Sequence, residues 1–236
     1  MGKRVVCFVL SLAVCAGLLA GCGREAASAS QDPELAGDER YTSTWFDVFD
    51  TVTTVIGYAA SQEEWDQQME ALHADLVEYH QLYDIYHTYS GVTNLRDVND
   101  RAGQEPVEVD GRILGLLTEA KEMCETTGGK MNVAFGTVLK IWHNYREAAL
   151  DDPAQAAVPS AEELEAAARH CDINDLILDE EASTVFFADP ELQLDVGSVG
   201  KGYAVEMVAR AAEERGLKSA LISVGGNLRS IGHKPD

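Results

Sequence analysis

The strongest hydrophobic rhythm in the chain runs through Trp65, Met69, Leu72, Leu76, Tyr79 and Tyr83, spaced by three and four. That spacing predicts one helix with a single apolar stripe. The sequence Ser61-Gln-Glu-Glu64 opens it as a capping box. Just upstream, residues 49–58 alternate polar and apolar positions with β-branched enrichment and predict the first strand. Ile113, Leu116, Leu117, Ala120 and Met123 predict a second helix within 110–126, ended by Gly128-Gly129. Residues 131–142 mix small and apolar side chains and enter a further helix, with Ile141 and Trp142 expected in the core. An acidic, alanine- and proline-bearing stretch over 147–159 predicts a surface loop, and Ser160-Ala-Glu-Glu163 is a second capping box. Residues 176–178 and 184–187 predict a hairpin, 192–195 another strand, 201–215 a helix with Gly216 as its C-cap, and 219–224 a strand. Helices and hairpins are interspersed without strict βαβ alternation, which favours α+β.

The first residues follow a different rule. Lys3 and Arg4 precede an apolar run over 5–19, too short for a comfortable membrane span, and together they read as an export signal over 1–21. Leu19-Ala-Gly-Cys22 resembles a bacterial lipobox, with Cys22 the lipidated residue; the alternative is a cleaved secretory signal with an incidental cysteine. Residues 22–44 then read as the lipidated cysteine and a solvated tether rich in Ala, Ser, Gly and acid, leaving 45–236 as the folded domain. The expected location is the extracytoplasmic face of the bacterial membrane.

The formal charge of −22 argues against nucleic acid as a partner, and against electrostatic adhesion to an anionic membrane. Beyond the signal and Cys22, only Cys124 and Cys171 remain. Their spacing matches no zinc motif, and they read as small apolar residues rather than a disulfide.

The chemistry concentrates in Leu194-Asp-Val-Gly-Ser-Val-Gly-Lys-Gly-Tyr-Ala204, followed by Ser223-Val-Gly-Gly-Asn227. A strand ending on a carboxylate, a glycine-rich turn and a helix opening with lysine can present backbone N–H groups to an anion. Asp195 and Ser198 offer hard oxygen ligands suited to Mg²⁺. The spacing is neither a P-loop nor a dinucleotide fingerprint. Three plainer roles stay open: glycines that only shape a turn, Asp195 as a helix cap, and Lys201 as a solvated side chain.

With that word pattern the chain resembles the ApbE family of FAD:protein FMN transferases. The resemblance implies an ApbE-like (T-fold-like) mixed sheet with packed helices. It also implies Mg²⁺-dependent transfer of FMN from FAD to a Thr or Ser hydroxyl of an exported electron-transfer protein, releasing AMP. On the matching positions it makes Val52, Tyr86, Lys130, Met131, Asn132, Asp195 and Lys201 flavin-nucleotide contacts and Ser198 a metal ligand. Tyr89 is a rival to Tyr86, and Asn94 or Asn99 takes the place of a family asparagine. Asn132 stands where the family has a carboxylate.

The resemblance also places the remaining metal ligands and the active-site histidine beyond Asp236, so the domain is expected to be incomplete at its C-terminus and its catalytic residues unassigned. His80, His87 and His143 accordingly read as surface or structural residues. The competing reading is a catalytically inactive flavin-binding lipoprotein fragment. A transporter's solute-binding component is a third, disfavoured because two βαβ lobes are not evident.

Overall fold

Trp65, Leu72 and Leu76 are buried along one face of the first helix, as their spacing requires. In the computed structural model, which describes residues 37–234, this helix (α1, Gln62–Tyr83) packs on a four-stranded antiparallel sheet. The signal segment, Cys22 and most of the expected tether lie outside the described residues. The sheet has the order β1-β2-β6-β7, from β1 (Glu39–Val48), β2 (Thr51–Ala59), β6 (Ala220–Val224) and β7 (Asn227–Ile231).

β1 corrects the expected domain boundary, since the tether was drawn to residue 44. It is an edge strand whose inward face carries Tyr41, Ser43 and Trp45. Tyr41 stacks on Trp65 at 5.8 Å, and Ser43 accepts a hydrogen bond from the Trp65 indole at 2.9 Å. With a serine in the middle of its apolar side and Arg40, Thr42 and Thr44 opposite, such a strand looks like linker until its partner is known.

Between the outer strands lie α2 (Leu95–Asp100), β3 (Val107–Glu108), α3 (Gly111–Thr126), α4 (Gly136–Asp151), α5 (Ala161–Ala168), β4 (Leu176–Asp179), β5 (Thr184–Phe187) and α6 (Gly200–Glu214). A second antiparallel sheet has the order β3-β5-β4. Residues 38–234 form one compact unit. Its main core joins α1, Ile113, Leu116 and Leu117 of α3, Val205 and Val208 of α6, and inward residues of both sheets. Each such aliphatic side chain contributes about 1.5–3 kcal/mol of hydrophobic stabilisation. Cys124 and Cys171 are free and buried, with no disulfide.

Both serine caps form: Ser61 Oγ accepts from the Glu64 amide at 3.2 Å and Ser160 Oγ from the Glu163 amide at 3.1 Å. The reciprocal arms differ from a capping box, because Glu64 reaches the Ala60 amide and Glu163 takes the Tyr145 hydroxyl. Three other expectations need correction. Helix α4 runs to Asp151, into the predicted loop. Trp142 is 44% and Met123 39% exposed, because α4 buries Val138 against α5 and α3 turns Met123 outward. Residues 192–195 form no strand; Gln193 makes only an isolated parallel bridge to Phe135.

Candidate functional site

That extended segment is held by groups other than a neighbouring strand. The Gly136 amide donates to the Gln193 carbonyl at 3.0 Å, and the Asp195 amide donates to the Val133 carbonyl at 2.8 Å. Gly136 is needed for this approach, since a Cβ there would sit 2.5 Å from the Gln193 oxygen. The buried carboxamide of Asn99 grips the Leu194 peptide from both sides, which fixes where the next residue, Asp195, points.

Asp195 caps the turn and not the helix: its Oδ1 accepts from the Gly197 amide at 2.8 Å. Its Oδ2 has no hydrogen-bond partner among the described residues. Val199, at the N-cap of α6, supplies no side-chain hydrogen bond. The Gly200 amide is taken by the Val196 carbonyl at 2.7 Å, which leaves the Lys201 and Gly202 amides at the start of α6 without a partner among the described residues. Asn227 brings the second half of the motif to the same place. Its Nδ2 donates to the Val224 carbonyl at 3.0 Å, while Oδ1 faces Gly202.

The opposite wall is the loop after α1. Asp84, buried, accepts from the amides of Tyr86 (2.6 Å) and His87 (3.1 Å), from His87 Nδ1 (2.9 Å) and from the Tyr89 hydroxyl (2.8 Å). Burial raises the pKa of its carboxyl, but these hydrogen bonds outweigh it and hold Asp84 below the usual carboxylate range. Asn94, also buried, donates to the carbonyls of Gln81 and His87 and caps α2. Arg96 donates to the Tyr86 carbonyl. The loop so braced presents Tyr86, 49% exposed, with its ring stacked on His143 at 5.1 Å. Burial, and then the Asp195 charge, push the Tyr86 phenol upward, so it stays neutral.

Asp195 borders three adjoining hollows of about 140, 250 and 580 Å³. The first has Tyr86 and Lys201 in its walls with Phe49, Asp50 and His80. The second runs from Tyr86 to Arg96, Lys140 and His143. The third holds Lys130, Met131, Asn132 and Ser198. Six of the eight residues anticipated for the nucleotide and metal thus gather around a seventh, Asp195. Val52 does not join them. It is 49% exposed on β2, its carbonyl accepts from the Gly225 amide, and Phe49 and Asp50 stand at the hollow instead.

Asn132 lines its hollow, but both ends of its amide are committed: Nδ2 donates to the Cys171 carbonyl at 2.8 Å and Oδ1 accepts from the Ala134 amide at 2.9 Å. The rivalry of tyrosines is decided by hydrogen bonding, since Tyr89 spends its hydroxyl on Asp84.

Sequence reasoning missed Asp84, Arg96, Lys140 and the strained turn at Phe49-Asp50, whose φ values are 55° and 50°. Two left-handed non-glycine residues in a hairpin cost on the order of 1–2 kcal/mol each. Only His80 carried a signal, lying four residues after Leu76 and three before Tyr83 on the buried face of α1.

An uncapped helix start, an unpaired carboxylate oxygen and an aromatic wall together offer chemistry suited to a ligand that joins an anionic group to flat rings. Residues 49–236 match the model of the ApbE family, and the chain belongs to it. Over 145 residues it is 33% identical to the FAD:protein FMN transferase of Treponema pallidum (strain Nichols), covering 59% of this chain and 38% of that protein. Over 144 residues it is 28% identical to the FAD:protein FMN transferase of Klebsiella pneumoniae (strain 342), covering 59% of this chain and 42% of that one. The fold is that of the crystal structure of the ApbE protein from Thermotoga maritima, with a TM-score of 0.69 at 24% identity over 83% of this chain and 60% of that one. It is equally similar to the flavin transferase ApbE from Vibrio cholerae, with a TM-score of 0.69 at 21% identity over 84% and 61%.

Proposed function

We propose that this chain belongs to an enzyme that transfers FMN from FAD to a Thr or Ser hydroxyl of an acceptor protein. The observation that carries the reading is the convergence on Asp195: Tyr86 and Lys201 lie to one side, Lys130–Asn132 and Ser198 to the other. Tyr86 offers a neutral aromatic face to a flavin or adenine ring. Lys201 and the first-turn amides of α6 would offset the pyrophosphate charge. The hydroxyl oxygen forms a bond to the FMN phosphorus as the bridging P–O bond breaks; the hydroxyl proton passes to solvent and AMP departs with the bridging oxygen.

Asp195 Oδ2 and Ser198 Oγ are hard donors at one hollow, which fits Mg²⁺, an ion that takes much of its shell from water and phosphate oxygens. When bound, Mg²⁺ would supply charge neutralisation on the pyrophosphate. Asp195 is held for this work by Asn99 and by the Gly197 amide.

The matched relatives are longer than this chain, so activity, metal and acceptor all belong to the proposal. The location belongs to it as well. Lys3, Arg4, the apolar run over 5–19 and Cys22 support a lipid anchor on the extracytoplasmic face, with exported flavoproteins as acceptors. Among the described residues no helix is long and apolar enough to cross a membrane.

The test mixes the chain with FAD, Mg²⁺ and an acceptor domain carrying a modifiable threonine, and reads the acceptor by intact mass. A gain of one FMN, abolished by EDTA, is the expected result. FAD binding with no mass gain would leave a flavin-binding protein in place of the transferase.

A further inference from the structure

The reaction as read above gives no task to His80, yet this residue joins the two walls of the first hollow. Its Nδ1 accepts a hydrogen bond from the Phe49 amide at 3.1 Å, and the Phe49 ring packs edge-on against the imidazole at 5.6 Å. With Nδ1 an acceptor, the proton of the neutral ring lies on Nε2. That nitrogen sits 3.4 Å from the Tyr89 hydroxyl, which donates in turn to Asp84 Oδ2 at 2.8 Å. The bonds run in one direction, from His80 to Tyr89 to Asp84, and Asp84 also holds the Tyr86 amide.

Each end of this relay carries a feature that needs an explanation. At one end, Phe49 and Asp50 both occupy the left-handed region, where non-glycine residues persist only if something outside the turn holds them. At the other, the aromatic platform Tyr86 stands in a loop whose amides are tied to one carboxylate. Phe49, Asp50, His80, Asp84 and Tyr86 line the same hollow.

We infer that neutral His80 is a positioning residue: it latches the strained Phe49-Asp50 turn to the Asp84 loop and so sets the width of the flavin-nucleotide hollow. The ligand in this statement rests on the function proposed above; the latch itself rests only on the hydrogen bonds and the strained turn. A doubly protonated His80 would turn Nδ1 into a donor facing the Phe49 N–H, and the latch would open. The titratable groups around it are Asp47 at the end of β1, Asp50 in the turn, Tyr83 on its own helix, Asp84, His87 and Tyr89 in the loop, His143 against Tyr86, and Lys201 at the start of α6, so the asparagine variant is the control that isolates His80 from the other imidazoles.

The test titrates FAD into the full chain, His80→Leu and His80→Asn, following fluorescence quenching from about pH 8 to about pH 5. Amide exchange at Phe49 is measured on the same three proteins without ligand. His80→Leu should weaken FAD binding about tenfold and speed Phe49 exchange. His80→Asn, whose Oδ1 can still accept from Phe49, should recover most of both. The parent chain should lose affinity on acidification, and the Asn variant should lose less.

Leucine-variant affinity and pH profile equal to the parent's, with or without a lower Tm, would overturn the positioning role. If the parent chain takes up no FAD, the flavin reading falls, and Phe49 exchange alone decides the latch: unchanged exchange in His80→Leu overturns it, and faster exchange rescued by asparagine sustains it.

Discussion

Asn99 holds the Leu194 peptide by both of its polar groups: Nδ2 donates to the carbonyl at 3.0 Å, and Oδ1 accepts from the amide at 2.8 Å. Ninety-five residues separate the partners, and the pair is buried. Because Asp195 follows directly, this clamp connects α2 to the carboxylate on which the three hollows meet. Replacing Asn99 by leucine leaves a buried N–H and a buried C=O unpaired. Urea unfolding should report a loss of about 2–3 kcal/mol, and FAD affinity should fall with it.

Asp195 itself separates geometry from charge. In Asp195→Asn, the carboxamide oxygen can still accept from the Gly197 amide, so Tm should stay close to the parent's, within about 0.5 kcal/mol of stability. Mg²⁺-dependent FAD binding, measured by calorimetry, should nevertheless drop about tenfold or more, since the charge facing the metal is gone. Equal affinity in the two proteins would remove Asp195 from the metal's shell.

Acid stability should carry the mark of Asp84. A carboxyl depressed in the folded state binds fewer protons there than in the unfolded chain. Its stabilisation is therefore complete above the ordinary carboxylate range and is lost as pH falls through the folded value. The stability difference between the parent and Asp84→Asn should be present at about pH 5 and should shrink below about pH 4. Denaturant midpoints across that range give the comparison, and a constant difference throughout would show that the hydrogen bonds to Asp84 do not favour its charged form.

Asn132 provides a test in the opposite direction, because the carboxylate it replaces in the family pattern would fit poorly here. An aspartate retains the acceptor for the Ala134 amide but sets a second oxygen against the Cys171 carbonyl. Asn132→Asp should cost about 1–2 kcal/mol in thermal unfolding at neutral pH, easing as the carboxyl is protonated. A variant as stable as the parent would show that the turn at Cys171 can move away.

Much of this molecule is local and was legible as such. The stripe from Trp65 to Tyr83, the serine caps at 61 and 160, the hairpin of β4 and β5, and the glycine-rich start of α6 all express rules acting over two to four residues. The short motif also localised Asp195, Ser198 and Lys201 as a group, because a turn and a helix start bring near neighbours together.

The elements that were missed obey no such rule. β1 declares itself only when Ser43 meets Trp65 across 22 residues. The segment 192–195 has strand-like residues but is paired with a helix start and a side chain. His80 gains its role from an amide 31 residues away.

The sequence alone determined the stripe of α1, the serine caps, the hairpin of β4 and β5 and the start of α6, since hydrophobic periodicity and capping are properties of neighbouring residues. Only the tertiary structure decided that Tyr86 rather than Tyr89 faces the hollow, that Val52 stands apart, and that Asn99 and His80 hold the walls. A hydrogen bond between a side chain and a distant backbone group leaves no period in the sequence, and it becomes visible only when the fold closes the loop between them.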